Sequence, residues 1–240
     1  VTAENITHTG LIDVSATEGN GGSVTLQSTN DTFLQGQSLI TAQADNGVGG
    51  TVHVLGNRVG LFGQSSINAS GLTSGGEVLV GGDFQGATPD IQNASQTYLG
   101  INTSIAADAT DKGDGGKVII WADQTTQYYG SITARGGEVS GDGGFVEVSG
   151  KNILNFAGMV DTAAVNGNDG TLLLDPLDII IIDQGTPPVP ADNLVVSGDN
   201  TILFADPDGA TSYTISEDTL EGLSGNVVLQ MGRASWREKG

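Results

Sequence analysis

Apolar and polar residues alternate along this chain in short bursts, and one burst is written six times. Each opens on a glycine pair or its variant and continues with an apolar residue at every second place. The copies are Gly21-Gly22-Ser-Val-Thr-Leu26, Gly49-Gly50-Thr-Val-His-Val54, Gly75-Gly76-Glu-Val-Leu-Val80, Gly115-Gly116-Lys-Val-Ile-Ile120, Gly143-Gly144-Phe-Val-Glu-Val148 and the variant Asp169-Gly170-Thr-Leu-Leu-Leu174. A second apolar run precedes each, at Leu11 to Val14, Leu39 to Ala42, Ser66 to Ala69, Ser104 to Ala107, Ser131 to Ala134 and Met159 to Thr162. From the centre of that run (Ile12, Ile40, Ile67, Ile105, Ile132, Val160) to the pair the offsets are 9, 9, 8, 10, 11 and 9 residues, so the two runs keep a register. A period of two sends alternate side chains to opposite faces of a strand. No stretch sustains the 3.6-residue apolar stripe of a helix.

The pairs recur at intervals of 28, 26, 40, 28 and 26 residues, and self-similarity at such a period is the mark of a solenoid. A third, weaker run lies between copies, at Thr32 to Leu34, Val59 to Phe62, Tyr98 to Ile101, Tyr128-Tyr129 and Ile153 to Phe156. Three short strands per turn describe an all-β chain wound as a parallel β-helix. Coils stacked about 4.8 Å apart would build a rod on the order of 30 to 45 Å long. The glycine pairs are expected at corners that need positive φ. The one long interval contains Asp83 to Gln96, whose Gly86, Pro89 and polar residues predict a loop protruding from one coil.

The repeats fill residues 1–174, with the insertion at about 83–96. From Leu172 the pattern changes to Leu-Leu-Leu-Asp-Pro-Leu-Asp-Ile-Ile-Ile-Ile, then a Pro-rich turn, and residues 175–230 are expected to form a β-rich terminal module. Residues 231–240 form an atypical basic tail carrying Arg233, Arg237, Lys239 and Trp236. One coil cannot bury its inner face alone, and an uncapped coil offers a sheet edge. Nothing at Val1 to Thr9 resembles a polar cap, so the chain is expected to be a segment of something longer.

Charge narrows the partners. Among 240 residues, 28 acidic and 8 basic side chains leave a formal charge of −20, which argues against nucleic acid and anionic membrane surfaces. There is no cysteine, so disulfides and thiolate metal sites are excluded. No signal peptide opens the sequence and no run of 18 apolar residues occurs, so no membrane insertion is expected.

The repeated phrase, seen best in Gly130-Ser-Ile-Thr-Ala-Arg-Gly-Gly137 and Gly141-Asp-Gly-Gly-Phe-Val-Glu-Val-Ser-Gly150, resembles that of the filamentous haemagglutinin-like exoproteins of bacterial two-partner secretion. Gly170-Thr-Leu-Leu-Leu-Asp-Pro176, Thr214-Ile-Ser216 and Leu223-Ser-Gly-Asn-Val-Val-Leu-Gln230 extend the resemblance over most of residues 1–230. It implies a right-handed parallel β-helix, exported through an outer-membrane transporter partner and displayed at the bacterial surface or released as an adhesin. The family's N-terminal secretion domain has no counterpart in these residues, so export by this segment alone is not expected.

The acids are the candidates for catalytic chemistry. Adjacent coils could bring two carboxyls within the roughly 5 to 9.5 Å that glycosidases use, and Asp83, Asp90, Asp108, Asp111, Asp114 and Asp123 are the candidates. Their plainer role is to cap backbone amides in turns. Calcium could be held by Asp111 to Gly116 or Asn166 to Gly170, although neither forms an EF-hand loop or a calcium-binding nonapeptide. His8 and His53 are too far apart in sequence to suggest a shared metal site. Phe84, Tyr98, Tyr128 and Tyr129 are candidate ligand-binding residues that could stack on sugars, against the plainer reading of core or corner packing. The expectation is a non-enzymatic, structural or adhesive segment that serves attachment or matrix assembly, with a host or matrix glycan or protein as receptor. A carbohydrate-active β-helix enzyme, and an orphan fragment without its own function, are the alternatives.

Overall fold

A computed structural model describes residues 1–177, 180–182, 196–197, 201–202 and 214–230. The chain is a β-solenoid with three parallel sheets and three strands per coil. The first sheet holds, in order, Thr2–Ala3, the six glycine-pair strands Ser23–Ser28, Thr51–Leu55, Glu77–Val80, Lys117–Ala122, Phe145–Gly150 and Thr171–Leu174, and then Asn226–Leu229. The second runs through Ile6–His8, Asp31–Leu34, Arg58–Leu61, Gln96–Leu99, Thr125–Tyr128 and Ile153–Phe156. The third runs through Leu11–Asp13, Leu39–Thr41, Ser66–Asn68, Ser104–Ala106, Ser131–Thr133 and Met159–Asp161.

Equal positions of the repeat sit on one another. Val24, Val52, Val78, Val118, Val146 and Leu172 form one interior column of the first sheet. Ile12, Ile40, Ile67, Ile105, Ile132 and Val160 form the matching column of the third. In the second, Leu34, Leu61, Leu99, Tyr128 and Phe156 line up. Nearly all of these side chains are fully buried in one continuous core. Burial of each such side chain is worth roughly 1.5–3 kcal/mol relative to exposure.

Another interior column of the second sheet is partly polar: Thr32, Thr97 and Thr126 are completely buried. Their hydroxyls donate to the carbonyls of Leu55 (2.7 Å), Trp121 (2.6 Å) and Ser149 (2.7 Å), each on the next coil's first-sheet strand. The column is therefore satisfied, and it ties successive coils at that corner. These threonines also explain why two strands of the second sheet, Gln96–Leu99 and Thr125–Tyr128, begin earlier than the apolar runs at Tyr98 and Tyr128 suggest.

The glycine pairs do not adopt positive φ, contrary to expectation. Positive φ occurs instead at other corners, such as Gly36 (+69°) and Gly63 (+66°). The pairs are glycine because coils approach too closely there for a side chain. A Cβ on Gly50 would overlap the Gly22 carbonyl, one on Gly76 the Gly50 carbonyl, and so on along the stack to Gly170 over Gly144. The same carbonyls accept inter-coil hydrogen bonds, as Glu77 N–H does to Gly50 (3.0 Å) and Lys117 N–H to Gly76 (2.9 Å). The second glycine of each pair also closes its own coil, as Gly50 N–H to the Ala42 carbonyl at 2.7 Å.

Part of the expected terminal module returns to the solenoid. Asn226–Leu229 pairs in parallel with Thr171–Leu174, and Ile215 enters the main core with Leu220 and Leu223 packed against it. A short helix, Glu217–Glu221, begins at Ser216, whose hydroxyl accepts the Thr219 N–H at 3.2 Å. The tail at 231–240 lies outside the described residues.

Gly76→Ala should destabilise the protein by about 2–4 kcal/mol, since backbone must move to admit the methyl group. Gly10→Ala, where a Cβ meets nothing within 4 Å, should stay within about 0.5 kcal/mol. Urea unfolding of the two variants checks the difference.

Candidate functional site

The outer face of the first sheet departs from simple alternation. Its outward row reads His53, Leu79, Ile119, Glu147 and Leu173, so large apolar residues stand where a solvated face would be polar. The insertion answers this. Instead of protruding, it lies flat against the sheet as a strap, and Leu79, Ile119 and Trp121 form a second buried cluster with Ile91 and Phe145 packed against it. Phe84, on the 3-10 turn Phe84–Gly86, meets the Phe145 ring edge to face at 5.8 Å. In one direction Gln92 accepts a hydrogen bond from Gln27 at 3.2 Å, and in the other Gln85 donates to Asp175 at 3.2 Å. One loop thus spans coils from the second strand of this sheet to the end of the seventh.

Polar contacts fix the strap at two points. At its root, Lys117 Nζ lies 2.7 Å from Asp83 Oδ1 and 3.3 Å from Glu77 Oε2, while Glu77 Oε1 meets His53 Nε2 at 3.0 Å. Thr88 donates to the other Asp83 oxygen at 2.7 Å. Burial alone would raise the Asp83 carboxyl, but the Lys117, Thr88 and Phe84 hydrogen bonds outweigh it and hold the group below its ordinary value. Glu77 is also lowered, chiefly by the His53 hydrogen bond. Asn93 Nδ2 reaches the Gly86 carbonyl at 2.9 Å and Asp123 at 3.3 Å, and Asp123 also accepts the Trp121 indole N–H at 3.1 Å.

At the tip, the Gln85 N–H donates to Glu147 Oε2 at 3.1 Å. Gln85 holds φ +52°, the one non-glycine residue in the left-handed region among those described. Glu147 is completely buried, and its Oε1 has no hydrogen-bond partner among the described residues. Burial pushes its carboxyl up to about 7, with the Asp175 and Asp83 charges adding to the rise and the Gln85 amide and Ser149 hydroxyl opposing it. Asp175 is raised as well, mainly by burial. A hollow of about 370 Å³ opens beside this tip, lined by Gln85, Trp121, Lys151, Asp175, Pro176, Leu177 and Gln230.

The residues singled out in the sequence are dispersed. Phe84 is 41 % exposed on the strap, whereas Tyr128 is wholly inside the core, its hydroxyl donating to the Met159 carbonyl and its ring 5.1 Å from Phe156. Tyr98 lies on the outer side of the second sheet between Phe62 (5.0 Å, stacked) and Tyr129 (5.9 Å), and Tyr129 is itself buried. Asp108 binds the Arg135 guanidinium at 3.0 Å, the Arg135 N–H and Thr133. Asp114 accepts the Asp142 N–H at 2.8 Å, Asp142 accepts the Asn168 N–H at 2.7 Å, and Asp169 accepts the Ala164 N–H at 2.9 Å. These acids border a groove of about 550 Å³ along the glycine corner. Their backbone caps account for them, and among the described residues no three or more His, Cys, Asp or Glu side chains cluster as metal ligands would. His53 contacts Glu77, while His8 Nε2 lies 3.4 Å from the Leu39 carbonyl.

Glu147 and Asp175 escaped sequence reasoning. Glu147 reads as an ordinary outward residue of an alternating strand, and only the fold of the insertion makes it buried. A usable signal was present: Leu79, Ile119 and Trp121 are apolar at outward positions, which implies a cover. Among known proteins, no family model and no curated protein matches the chain.

Trp121→Ala should cost about 3–5 kcal/mol of stability, because the indole fills the space between strap and sheet. Tyr128→Phe should cost about 1–2 kcal/mol by leaving the Met159 carbonyl unpaired. Thermal or urea unfolding measures both.

Proposed function

We propose that the chain is a structural, adhesive segment of a bacterial exoprotein resembling the filamentous haemagglutinins, working at the cell surface or in the extracellular space in attachment or matrix assembly. The observation that carries this reading is the straight stacking of equivalent positions over six coils. Such a stack is a stiff spacer, and it repeats the same outward positions at the coil spacing of about 4.8 Å, which suits multivalent contact with a repetitive glycan or matrix protein. The acidic, cysteine-free composition accords with an exported rod that must not cling to its neighbours. An outer-membrane transporter would be the export partner of the whole exoprotein.

The carbohydrate-active alternative draws on one observation, the Gln85-bridged carboxyls of Glu147 and Asp175 beside a hollow that Trp121 lines. Glu147 is sealed under the strap, so this pair is closed to a substrate as it stands, and the structural reading is preferred.

Antibodies raised to residues 1–174 should label intact, unpermeabilised cells that produce the full-length protein, and beads coated with the purified chain should bind host or matrix material. Loss of labelling on intact cells together with bare beads would overturn the proposal. Glycan cleavage that vanishes in Asp175→Asn would replace it with the enzymatic reading.

A further inference from the structure

The strap holds its most buried charge-bearing group in an unusual way. Glu147 gives one oxygen to the Gln85 N–H and leaves the other without a partner among the described residues, in a site with no exposure. Desolvating an ionised carboxylate without full hydrogen bonding is costly, and a protonated carboxyl avoids most of that cost. The Ser149 hydroxyl favours the ion, but the other neighbours worsen its case. On its own sheet Glu147 lies between Ile119 and Leu173, neither of which can compensate charge. Asp175 follows the next strand and Asp83 comes from the strap, and both repel a charge at Glu147. Of the cations, Lys117 is taken up by Asp83 and Glu77, with His53 behind Glu77. Lys151 borders the same hollow as Asp175 and is itself exposed.

The geometry points to a proton-operated latch: the tip of the strap stays closed over Glu147 while that carboxyl is protonated, and loosens when it ionises, uncovering the Leu79, Ile119 and Trp121 face. Backbone torsions in the strap bear on such motion. Gly81 and Gly82, at φ +79° and +157°, lie at its root, and Gln85 holds a left-handed conformation that opening would relieve. The root behaves in the opposite sense. Asp83, lowered by its partners, favours closure above its ordinary range, so the Asp83–Lys117 pair stays made at neutral pH while the Gln85 tip is released.

The direction follows from linkage. Closure raises the Glu147 carboxyl from 4.5 to about 7, so its contribution to closure is complete below the lower value and is lost as pH rises through the upper one. Between about pH 5 and 8 the opening equilibrium should rise on the order of a hundredfold. The latch rests on the strap alone and is independent of the exoprotein reading.

Hydrogen exchange of the whole chain, read by mass spectrometry at residues 83–95 and corrected for the intrinsic pH dependence of exchange, tests it. In the wild type, strap protection should fall on the order of a hundredfold from about pH 5 to 8 while the coil strands remain protected. In Glu147→Gln, strap protection should persist across the range. Asp175→Asn, which removes a repelling charge without touching the buried carboxyl, should move the midpoint to lower pH, and it serves where Glu147→Gln disturbs the coils. Strap protection that is flat with pH in the wild type, or a fall that survives in Glu147→Gln, or an unmoved midpoint in Asp175→Asn would each overturn the latch.

Discussion

The contact on which this structure depends is the one between glycine corners of successive coils. At that corner each backbone carbonyl accepts the amide of the coil above, and the space between is too small for a methyl group. The coil spacing is set by strand hydrogen bonds at about 4.8 Å, so the chain can turn sharply there only by giving up side chains. Register follows from this. Once the Gly22, Gly50, Gly76, Gly116, Gly144 and Gly170 column is in place, the valines two residues on and the isoleucines before it have nowhere to go except onto their counterparts. A slip by one residue would turn an apolar column outward.

Stacking leaves two kinds of unfinished surface, and the chain treats them differently. Inside, the polar threonines of the second sheet give their hydroxyls to first-sheet carbonyls, converting a hole in the apolar column into an inter-coil tie. Outside, two adjacent coils of the first sheet carry leucine, isoleucine and tryptophan, and the insertion runs across them. A loop that crosses strands braces many coils at once, which a solenoid with only nearest-neighbour contacts otherwise lacks. The same placement buries Glu147, whose position in an alternating strand would otherwise keep it in water.

The repeat was legible because its signal is written in residue types that have few other uses: a glycine pair, then alternating β-branched residues. Period, strand number and the first and third sheets follow from it. The second sheet was only partly legible, since Thr97 and Thr126 are interior but polar, and a reading based on apolar residues moved those strands toward Tyr98 and Tyr128. The role of the glycine pairs was misassigned for a related reason. Sequence shows that a side chain is absent but not whether torsion or a neighbouring coil forbids it, and here it is the neighbour. The site was least legible. Whether Asp83 to Gln96 stands away from the sheet or lies on it depends on long-range packing against Trp121 and Phe145, and Glu147 takes its character entirely from that packing.

The charge pattern joins these levels. Three of the described cations act between coils: Arg58 grips Asp31, its register partner, with two nitrogens at 2.7 and 2.6 Å, Arg135 grips Asp108, and Lys117 joins Glu77 to the strap. Each such pair is partly exposed and stabilises modestly, but each spans a coil boundary and so opposes slippage. The surplus acids sit largely at corners, where Asp114, Asp142 and Asp169 accept backbone amides that the turns leave over. Carboxylates in those places are hydrated and satisfied, and their mutual repulsion keeps the sides of one rod from adhering to another. Glu147 is the exception: it has the same chemistry without the water, and the loop that excludes the water lies outside the register that the repeat locks.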